Sequence, residues 1–351
     1  MFPNQHLLRV EELRPGMIVA QPVLSDTGQI LLEKGIFLTQ DFIGNLSNWK
    51  ISHVSIVRPN TSLSSNCRFF CIYKDTLTSV EETFKKVRAF KEVPIAECKE
   101  LVENYIELIV NIVGVIDDLH NVKSHNEYTF RHSLNVAIIA GIIGKWMGFA
   151  GKDLKDIILA GLLHDIGKVL IPEDILDKPG KLTPEEMAVV RAHPTHGYHL
   201  LDDCFDITEE VKLGILQHHE REDGSGYPLG LTREKIHMYA KIVAIADIYD
   251  AMSTERVYRK KVPPFTVVEV ILDQMYDKLN PQICLIFLAH IRGFLIGSSV
   301  LLNDGSKAKV VLLNGMLKLR PVVQLESGDL IDLDREKNLE VVTMLEEVNA
   351  V

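Results

Sequence analysis

The sequence contains no hydrophobic run long enough to cross a membrane. The apolar stretch Leu134–Gly144 ends at Lys145, whereas a spanning helix needs about 18 or more consecutive apolar residues. The N-terminal segment MFPNQHLLRVEELRPG also lacks the basic and then apolar pattern of a secretory signal. We therefore expect a cytoplasmic protein with no membrane association.

Cysteine is scarce and scattered along the chain. An odd number of cysteines without zinc-finger spacing argues against both a disulfide framework and a thiolate-rich zinc site. We expect free thiols of a reducing compartment. The five cysteines are Cys67, Cys71, Cys98, Cys204 and Cys284.

The chain has fewer basic than acidic residues: 38 Lys and Arg against 48 Asp and Glu, which gives a net charge of −10. Such a balance argues against DNA binding, which usually needs a basic face. It does not exclude a small phosphate ester that is held through metal ions. The 46% apolar and 25% charged residues are typical of a folded globular protein.

The periodicity of the sequence predicts a mainly α protein with a small β-rich module at each end. Alternating apolar residues indicate strands at both ends, and helical periodicity dominates the centre. Turn signals occur at Asn303-Asp304-Gly305 and Ser327-Gly328-Asp329. We predict a β-rich module at 1–60, a linker at 61–75, a helical domain at 76–292 and a β-rich module at 293–351.

Histidine is abundant, and seven of the thirteen histidines lie between His132 and His219. Most of these lie on or beside apolar helical segments, where an imidazole or carboxylate is costly unless it has a partner. Mixed imidazole and carboxylate side chains suit Fe, Mn, Zn or Co. The candidate ligands are His132, His164, Asp165, His193, His218, His219 and Asp247.

The number of candidate ligands fits two metal ions. Two octahedral ions offer about twelve coordination positions. Six monodentate ligands and one bridging carboxylate, most naturally Asp165, would fill about eight of them. The open positions would admit water and substrate phosphate oxygens, as a hydrolytic site with two metals requires. A single helical histidine is more often a surface or hydrogen-bonded residue, so the prediction depends on the ordered set.

The order of the motifs resembles that of the HD-GYP family of HD-superfamily phosphohydrolases. The resemblance covers core motifs at about 125–290, and the motifs are HDIGK (164–168), HPTHG (193–197), HHEREDGSGYP (218–228) and IADIYDAM (245–252) followed by RVYR (256–259). Members of this family are helical metal-dependent phosphodiesterases that hydrolyse cyclic di-GMP and commonly use iron or manganese. The resemblance implies two or three divalent transition-metal ions, commonly Fe or Mn, and the same seven ligands, whereas the ligand count fits two ions.

Further positions gain roles by analogy with the family. The resemblance implies that Lys168 stabilises phosphate charge, and that Asp250 orients either a metal ligand or Lys168. It also implies that Arg256 and Arg259 contact phosphate or a guanine edge, since Arg suits planar bidentate contacts. Each of these side chains would otherwise be an ordinary solvated charge.

The loop at Gly226-Tyr227-Pro228 has several possible roles. Tyr227 would stack on a base of the substrate, dock a diguanylate cyclase (GGDEF) domain, or simply brace the loop. The sequence departs from many relatives at Asn126 and Val257, but neither departure removes a ligand.

We therefore expect a phosphodiesterase that hydrolyses cyclic di-GMP to linear pGpG, with further cleavage to GMP left open. The alternatives are a hydrolase of another cyclic dinucleotide or phosphoester, and a catalytically silent adaptor for diguanylate cyclase domains. Homodimer formation is also left open.

Relatives with three metals carry Glu four residues before the first histidine ligand, where this chain has Tyr128. Since a neutral phenol is a poor ligand for a divalent metal, we expect two metals.

Overall fold

The computed structural model describes residues 5–13, 17–25, 30–32, 38, 43–44, 46, 49, 51–57, 65–112, 114–120, 122, 128–254, 262–313 and 320–345. The chain divides into two compact units, Met1–Cys71 and Ile72–Val351. The two units are described separately below.

The first unit contains short antiparallel strands. The strands are β1 (Gln5–Arg9), β2 (Ile18–Val19), β3 (Val23–Leu24), β4 (Ile30–Leu32) and β5 (His53–Val57). Strand β5 lies between β1 and β2 in one sheet, and β3 pairs with β4 in a second. Their apolar side chains share one small core, which includes Val19, Leu32 and Ile56. The predicted β-rich character of this end is confirmed.

The second unit is mainly helical. Its helices are α1 (Ser65–Phe90, which begins in the first unit), α2 (Ile95–Leu101), α3 (Glu107–Val110), α4 (Val115–His120), α5 (Tyr128–Trp146), α6 (Gly151–Leu163), α7 (Glu173–Leu176), α8 (Pro184–Arg191), α9 (His193–His199), α10 (Glu209–Gln217), α11 (Met238–Ser253), α12 (Pro264–Gln274) and α13 (Pro281–Leu295). A π-helical segment, Val102–Ile106, joins α2 to α3, and 3₁₀ turns lie at Ile166–Leu170 and Arg233–Lys235.

Helix α5 forms the centre of this unit. Its residues from Phe130 to Gly144 are all buried, including the polar side chains of His132 and Asn135. It packs against α6 and α11, and α10 packs against both of those helices. Gly161 allows the close approach of α6 to α5, because a Cβ atom there would lie 2.9 Å from the Ala137 Cα. These helices carry most of the candidate ligands.

Capping residues fix where two peripheral helices begin. Thr183 caps α8 in a reciprocal arrangement with Glu186, and Pro184 occupies the first helical position. Asn280 caps α13 by accepting a hydrogen bond from the Ile283 N–H. Local sequence therefore sets these boundaries without help from the core.

The chain ends in an antiparallel sheet of five strands. The strands are β6 (Ser299–Leu302), β7 (Lys307–Leu313), β8 (Pro321–Leu325), β9 (Leu330–Asp332) and β10 (Val341–Met344), in the order β10-β6-β7-β8-β9. Gly305 and Gly328 adopt positive φ angles of 88° and 91° in the two predicted turns, a conformation that glycine tolerates best. The prediction of a mainly α fold with β-rich ends is therefore confirmed.

Among the described residues, no helix has both the length and the apolar character needed to cross a membrane. Helix α1 includes residues 65–75, which the sequence analysis assigned to a linker. The division of the chain into the four predicted segments stays a prediction.

Candidate metal centre

Five helices bring the seven predicted ligands together. Their side chains come from His132 on α5, from His164 and Asp165 directly after α6, from His193 at the start of α9, from His218 and His219 directly after α10, and from Asp247 on α11. Five of the seven are buried, whereas His219 and Asp247 are half-buried. The cluster therefore has one wall open to solvent.

The ligands form two groups that share Asp165. In each group the potential ligand atoms all lie within 4.8 Å of one another. One group is His132, His164 and Asp165, and the other is Asp165, His193, His218 and His219. Asp247 lies between the groups, since its carboxylate is 3.1 Å from His132 Nε2 and 3.8 Å from His219 Nδ1. A shared carboxylate between two imidazole groups is an arrangement that suits a pair of metal ions.

Backbone carbonyl groups fix the orientation of three imidazole rings. The Nδ1 atoms of His164, His193 and His218 lie 2.7–2.8 Å from the carbonyl oxygens three residues earlier. Because a carbonyl oxygen only accepts, each Nδ1 must carry a proton. In the neutral ring, Nε2 then presents its lone pair to the centre of the cluster, as a metal ligand requires.

These lone pairs face other electron-rich atoms at short distances. His193 Nε2 lies 3.4 Å from His218 Nε2 and 3.2 Å from Asp165 Oδ1. Within the part of the chain that the structure describes, His164 Nε2 and Asp165 Oδ1 are buried without any hydrogen-bond partner. Unpartnered buried acceptors are costly. A cation between them removes that cost, so the donor set fits metal ions.

The charges of the cluster also suit cation binding. Burial lowers the pKa of His218 well below its ordinary value, and the neighbouring imidazole of His219 lowers it further. Burial lowers the pKa of His219 to about 3. For Asp165, burial favours the neutral form, but the Lys168 ammonium group opposes it, and the pKa is held well below the ordinary range. Two neutral imidazoles therefore stand beside a carboxylate anion.

Asp250 holds His132 in place from outside the cluster. Its Oδ2 lies 2.7 Å from His132 Nδ1, and its Oδ1 accepts hydrogen bonds from Asn135 and Thr254. Burial lowers the pKa of His132, but the hydrogen bonds to Asp247 and Asp250 outweigh it and raise the pKa to about 9. His132 thus holds a proton where a metal ion would otherwise supply the positive charge.

Lys168 contacts the shared carboxylate. Its ammonium group lies 2.5 Å from Asp165 Oδ2, and its side chain is partly exposed at the open wall. Asp250 contacts His132 rather than Lys168 in the described hydrogen bonds. Of the two predicted alternatives for Asp250, the geometry matches the orientation of a ligand.

The loop after His219 is braced by buried acids. The Glu220 carboxylate accepts hydrogen bonds from the Leu229 and Leu231 N–H groups at 2.7 and 2.9 Å. The Glu222 carboxylate accepts hydrogen bonds from the side chains of Arg233 and Asn280 at 2.6 and 2.9 Å. These contacts give the loop a fixed shape beside the cluster.

Tyr227 lies against the imidazoles of this loop and its neighbours. Its ring centroid is 4.7 Å from that of His219, and the Arg191 guanidinium lies 5.3 Å from the Tyr227 centroid. Burial and the charge of Asp247 raise the pKa of the Tyr227 phenol. Tyr227 is therefore a neutral, half-buried side chain at the edge of the cluster.

Two motif glycines let the ligand-bearing segments approach each other. A Cβ atom on Gly167 would lie 2.0 Å from the His193 carbonyl oxygen and 2.5 Å from the Gly197 nitrogen. A Cβ atom on Gly226 would lie 2.4 Å from the Arg221 nitrogen. Both contacts involve backbone atoms, so only glycine fits at either position.

Several predicted residues lie outside the described residues. Arg256 and Arg259, the predicted substrate contacts, fall in 255–261, and Val257 falls there too. Asn126 and Glu127 fall in 123–127, and the side chain of Tyr128 is also not described. Their predicted roles stay predictions.

Apart from Asp250, sequence reasoning missed the residues that support the ligands. Tyr73 and Asn135 extend the contact from Asp250, and Glu220 braces the loop. Their partners lie far along the chain or on the backbone, and sequence spacing carries no signal for such pairs. Gly167 could have been noticed, since a glycine within a helical pattern often marks a close approach.

The chain is similar in sequence to known proteins. The family profile described as HD domain matches residues 117–283. A cyclic di-GMP phosphodiesterase of Pseudomonas aeruginosa is 32% identical over 248 residues, which cover 70% of this chain and 59% of that protein. A 3'3'-cGAMP-specific phosphodiesterase of Vibrio cholerae is 33% identical over 178 residues, which cover 51% of this chain and 37% of that protein. The chain thus spans less than two thirds of each of these relatives.

A solved structure is similar in fold. It is an HDG"Y"P protein from Bdellovibrio bacteriovorus, and it aligns with a TM-score of 0.55 and 18% identity over 83% of this chain and 100% of that chain. The fold of this chain is therefore that of the solved HDG"Y"P protein, and residues 117–283 are similar in sequence to HD domains.

Proposed function

We propose that this chain is a metal-dependent phosphodiesterase that hydrolyses cyclic di-GMP to linear pGpG. The observation that carries the proposal is the pair of ligand groups that share Asp165. Curated relatives that are named as cyclic di-GMP phosphodiesterases support the substrate class. Subsequent cleavage of pGpG to GMP would use the same site.

The metals in this proposal are two divalent transition-metal ions, iron or manganese. Imidazole and carboxylate ligands in this ratio favour these ions over those that prefer thiolates. One ion would be held by His132, His164, Asp165 and Asp247, and the other by Asp165, His193, His218 and His219. When bound, such ions supply Lewis-acid stabilisation of phosphoryl charge and an activated water nucleophile at neutral pH.

The residues of the chain would keep this site in order. The carbonyl groups behind His164, His193 and His218 hold three rings in a single tautomer, so no reorganisation is needed when substrate arrives. Lys168 stands at the open wall, where its ammonium group can pair with a phosphate oxygen and stabilise negative charge. Asp250 keeps the remaining imidazole, that of His132, in place.

Substrate contacts would come from the loop and from the segment after α11. Tyr227 has a ring edge and a neutral hydroxyl beside His219, which suits packing against a nucleobase. Arg256 and Arg259 would grip phosphate or a guanine edge. A diguanylate cyclase (GGDEF) domain that docks on Gly226-Tyr227-Pro228 would compete with this use of Tyr227.

A second candidate substrate is 3'3'-cGAMP. This candidate is favoured by the similarity to a phosphodiesterase that is named as specific for that dinucleotide. The same ligands would hydrolyse either substrate, because the phosphodiester linkage is the same. The discrimination would depend on contacts to one base.

Product analysis tests both candidates. Protein reconstituted with manganese or iron is incubated separately with cyclic di-GMP, 3'3'-cGAMP and cyclic di-AMP, and the products are separated by chromatography. We expect pGpG from cyclic di-GMP at the highest rate, and no product from Asp165→Asn protein. Metal-loaded protein that hydrolyses none of the dinucleotides but binds diguanylate cyclase domains would contradict the proposal and favour the adaptor alternative.

A further inference from the structure

A buried chain of hydrogen bonds leads from helix α1 to the metal ligand His132. The Tyr73 hydroxyl donates to Asn135 Oδ1 at 2.6 Å, and Asn135 Nδ2 donates to Asp250 Oδ1 at 2.7 Å. Asp250 Oδ2 then accepts a hydrogen bond from His132 Nδ1 at 2.7 Å. All four residues are at most 3% exposed. The chain joins residues that are far apart in sequence.

The orientation of the Asn135 amide follows from the charge of its neighbour. Because the Asp250 carboxylate only accepts hydrogen bonds, the amide must direct its NH₂ group toward Asp250. Its oxygen then faces Tyr73, whose hydroxyl is the matching donor. Without that donor, the amide oxygen would lose its partner in a buried position, and the side chain would no longer be held in one orientation.

The amide in turn decides how Asp250 meets His132. Asn135 and Thr254 both donate to Asp250 Oδ1, at 2.7 and 2.9 Å, and leave Oδ2 for the imidazole. The bond from His132 Nδ1 to Oδ2 directs His132 Nε2 into the cluster, where it lies 3.1 Å from Asp247 Oδ1 and 3.7 Å from Asp165 Oδ2. The angle of this imidazole therefore depends on both hydrogen bonds of the amide.

We propose that Tyr73 is a positioning residue for the metal site that contains His132, and that it acts through Asn135 and Asp250. The inference rests on the metal-dependent function proposed above. It assigns Tyr73 no contact with substrate or metal. Its effect falls first on the ligand group of His132, since the described chain of hydrogen bonds ends at that ring rather than at the rings of His193, His218 or His219.

The change that tests this inference is Tyr73→Phe, which removes the hydroxyl and keeps the ring. Changes in the residues behind a metal ligand typically weaken metal binding by about 10- to 100-fold. Tyr73 is the third residue behind the ligand, after Asp250 and Asn135, so we expect the lower end, about 10-fold, at one of the two sites. The other site, whose histidines lie outside this chain of hydrogen bonds, should lose less affinity.

Helix α11 offers a matched control in Tyr239. This tyrosine is also buried, and its hydroxyl donates to Asp153 at 3.2 Å, away from the cluster. Tyr239→Phe therefore removes the same chemical group and one hydrogen bond without touching the chain to His132. A loss of metal affinity that is merely the result of a weakened core would appear in both variants.

Protein from which a chelator has removed all metal is titrated with manganese. The electron paramagnetic resonance signal of free Mn²⁺ reports how much manganese stays unbound at each step. The unfolding midpoint of each metal-free variant is measured first, and the titration is run well below the lowest midpoint. Asn135→Ala and the double variant Asn135→Ala/Tyr73→Phe complete the set. If Tyr73 acts through Asn135, its replacement should change the affinity little once the amide is gone.

The outcomes separate this inference from the proposed function. The inference is supported if wild-type protein has two manganese sites and Tyr73→Phe weakens one of them about 10-fold. Tyr239→Phe should leave both sites unchanged. Three results would overturn the inference but not the proposed function. Tyr73→Phe could bind manganese as tightly as wild type, or Tyr73→Phe and Tyr239→Phe could lose the same affinity. In the third, Tyr73→Phe would weaken binding in Asn135→Ala protein as much as it does in wild type. Wild-type protein that binds no manganese would overturn the proposed function and the inference together.

Discussion

Adding one methyl group at Gly167 should move the ligand His193 away from the other ligands. The 3₁₀ turn that contains Gly167 packs directly against the start of α9. A Cβ atom at this position would lie 2.0 Å from the His193 carbonyl oxygen. The change Gly167→Ala therefore acts on the backbone of a ligand without altering any ligand side chain.

The size of the effect follows from contact distances. A carbon atom and a carbonyl oxygen approach each other to about 3.3 Å at the closest, so the two segments must separate by about 1.3 Å. Metal–ligand distances tolerate only about 0.2 Å. A displacement of about 1 Å in a catalytic site can cost about 100-fold in rate, and forced repacking typically costs about 1–3 kcal/mol of stability.

The assay compares Gly167→Ala with Gly293→Ala on helix α13. Nothing lies within 4 Å of a Cβ atom on Gly293, so alanine there should raise the stability by up to about 1 kcal/mol. For Gly167→Ala we expect weaker manganese binding, a rate of hydrolysis about 100-fold lower and a lower unfolding midpoint. Wild-type metal affinity and rate in Gly167→Ala would refute the reasoning that the two segments hold the ligands by close contact.

Three further predictions test the ligands and the substrate contacts. Asp165→Asn should bind at most one metal ion by elemental analysis, because a neutral amide bridges poorly; two ions would contradict a bridging role. Arg256→Ala should weaken substrate binding by about 1.5–3 kcal/mol, as measured by kinetics, and should leave the metal content unchanged. Wild-type kinetic constants would mean that Arg256 is a surface charge. In metal-free protein, burial lowers the pKa of His132, but the hydrogen bonds to Asp247 and Asp250 raise it to about 9, above the ordinary value of 6.5. The stability from this proton should therefore be complete below about pH 6.5 and lost as the pH rises through about 9. Urea midpoints of chelator-treated protein would measure this loss, and a flat profile across that range would contradict it.

The sequence was sufficient to predict the mainly α fold and the ordered motifs, because both leave local patterns. Helical periodicity marks α6 and α12, and turn glycines mark the hairpins of the C-terminal sheet. The adjacent pairs His164-Asp165 and His218-His219 were informative for a similar reason. The pair His164-Asp165 reaches both ligand groups through Asp165, whereas His218 and His219 belong to the same group.

The support of the ligands could not be predicted in the same way. Tyr73 and Asn135 are separated by 62 positions, and Asn135 and Asp250 by 115. Such pairs form only when helices pack, and a single sequence carries no record of that packing. The carbonyl groups that orient the imidazoles are equally silent, since every residue has one.

Anomalous diffraction from crystals of manganese-reconstituted protein tests the central claim most directly. The account predicts two peaks about 3.5–4 Å apart, one beside His132 and the other beside His193, with Asp165 between them. The absence of any peak, or a single peak that leaves Asp165 without a bridging position, would contradict a two-metal centre. A third peak next to Glu127 or Tyr128 would contradict the predicted number of metals.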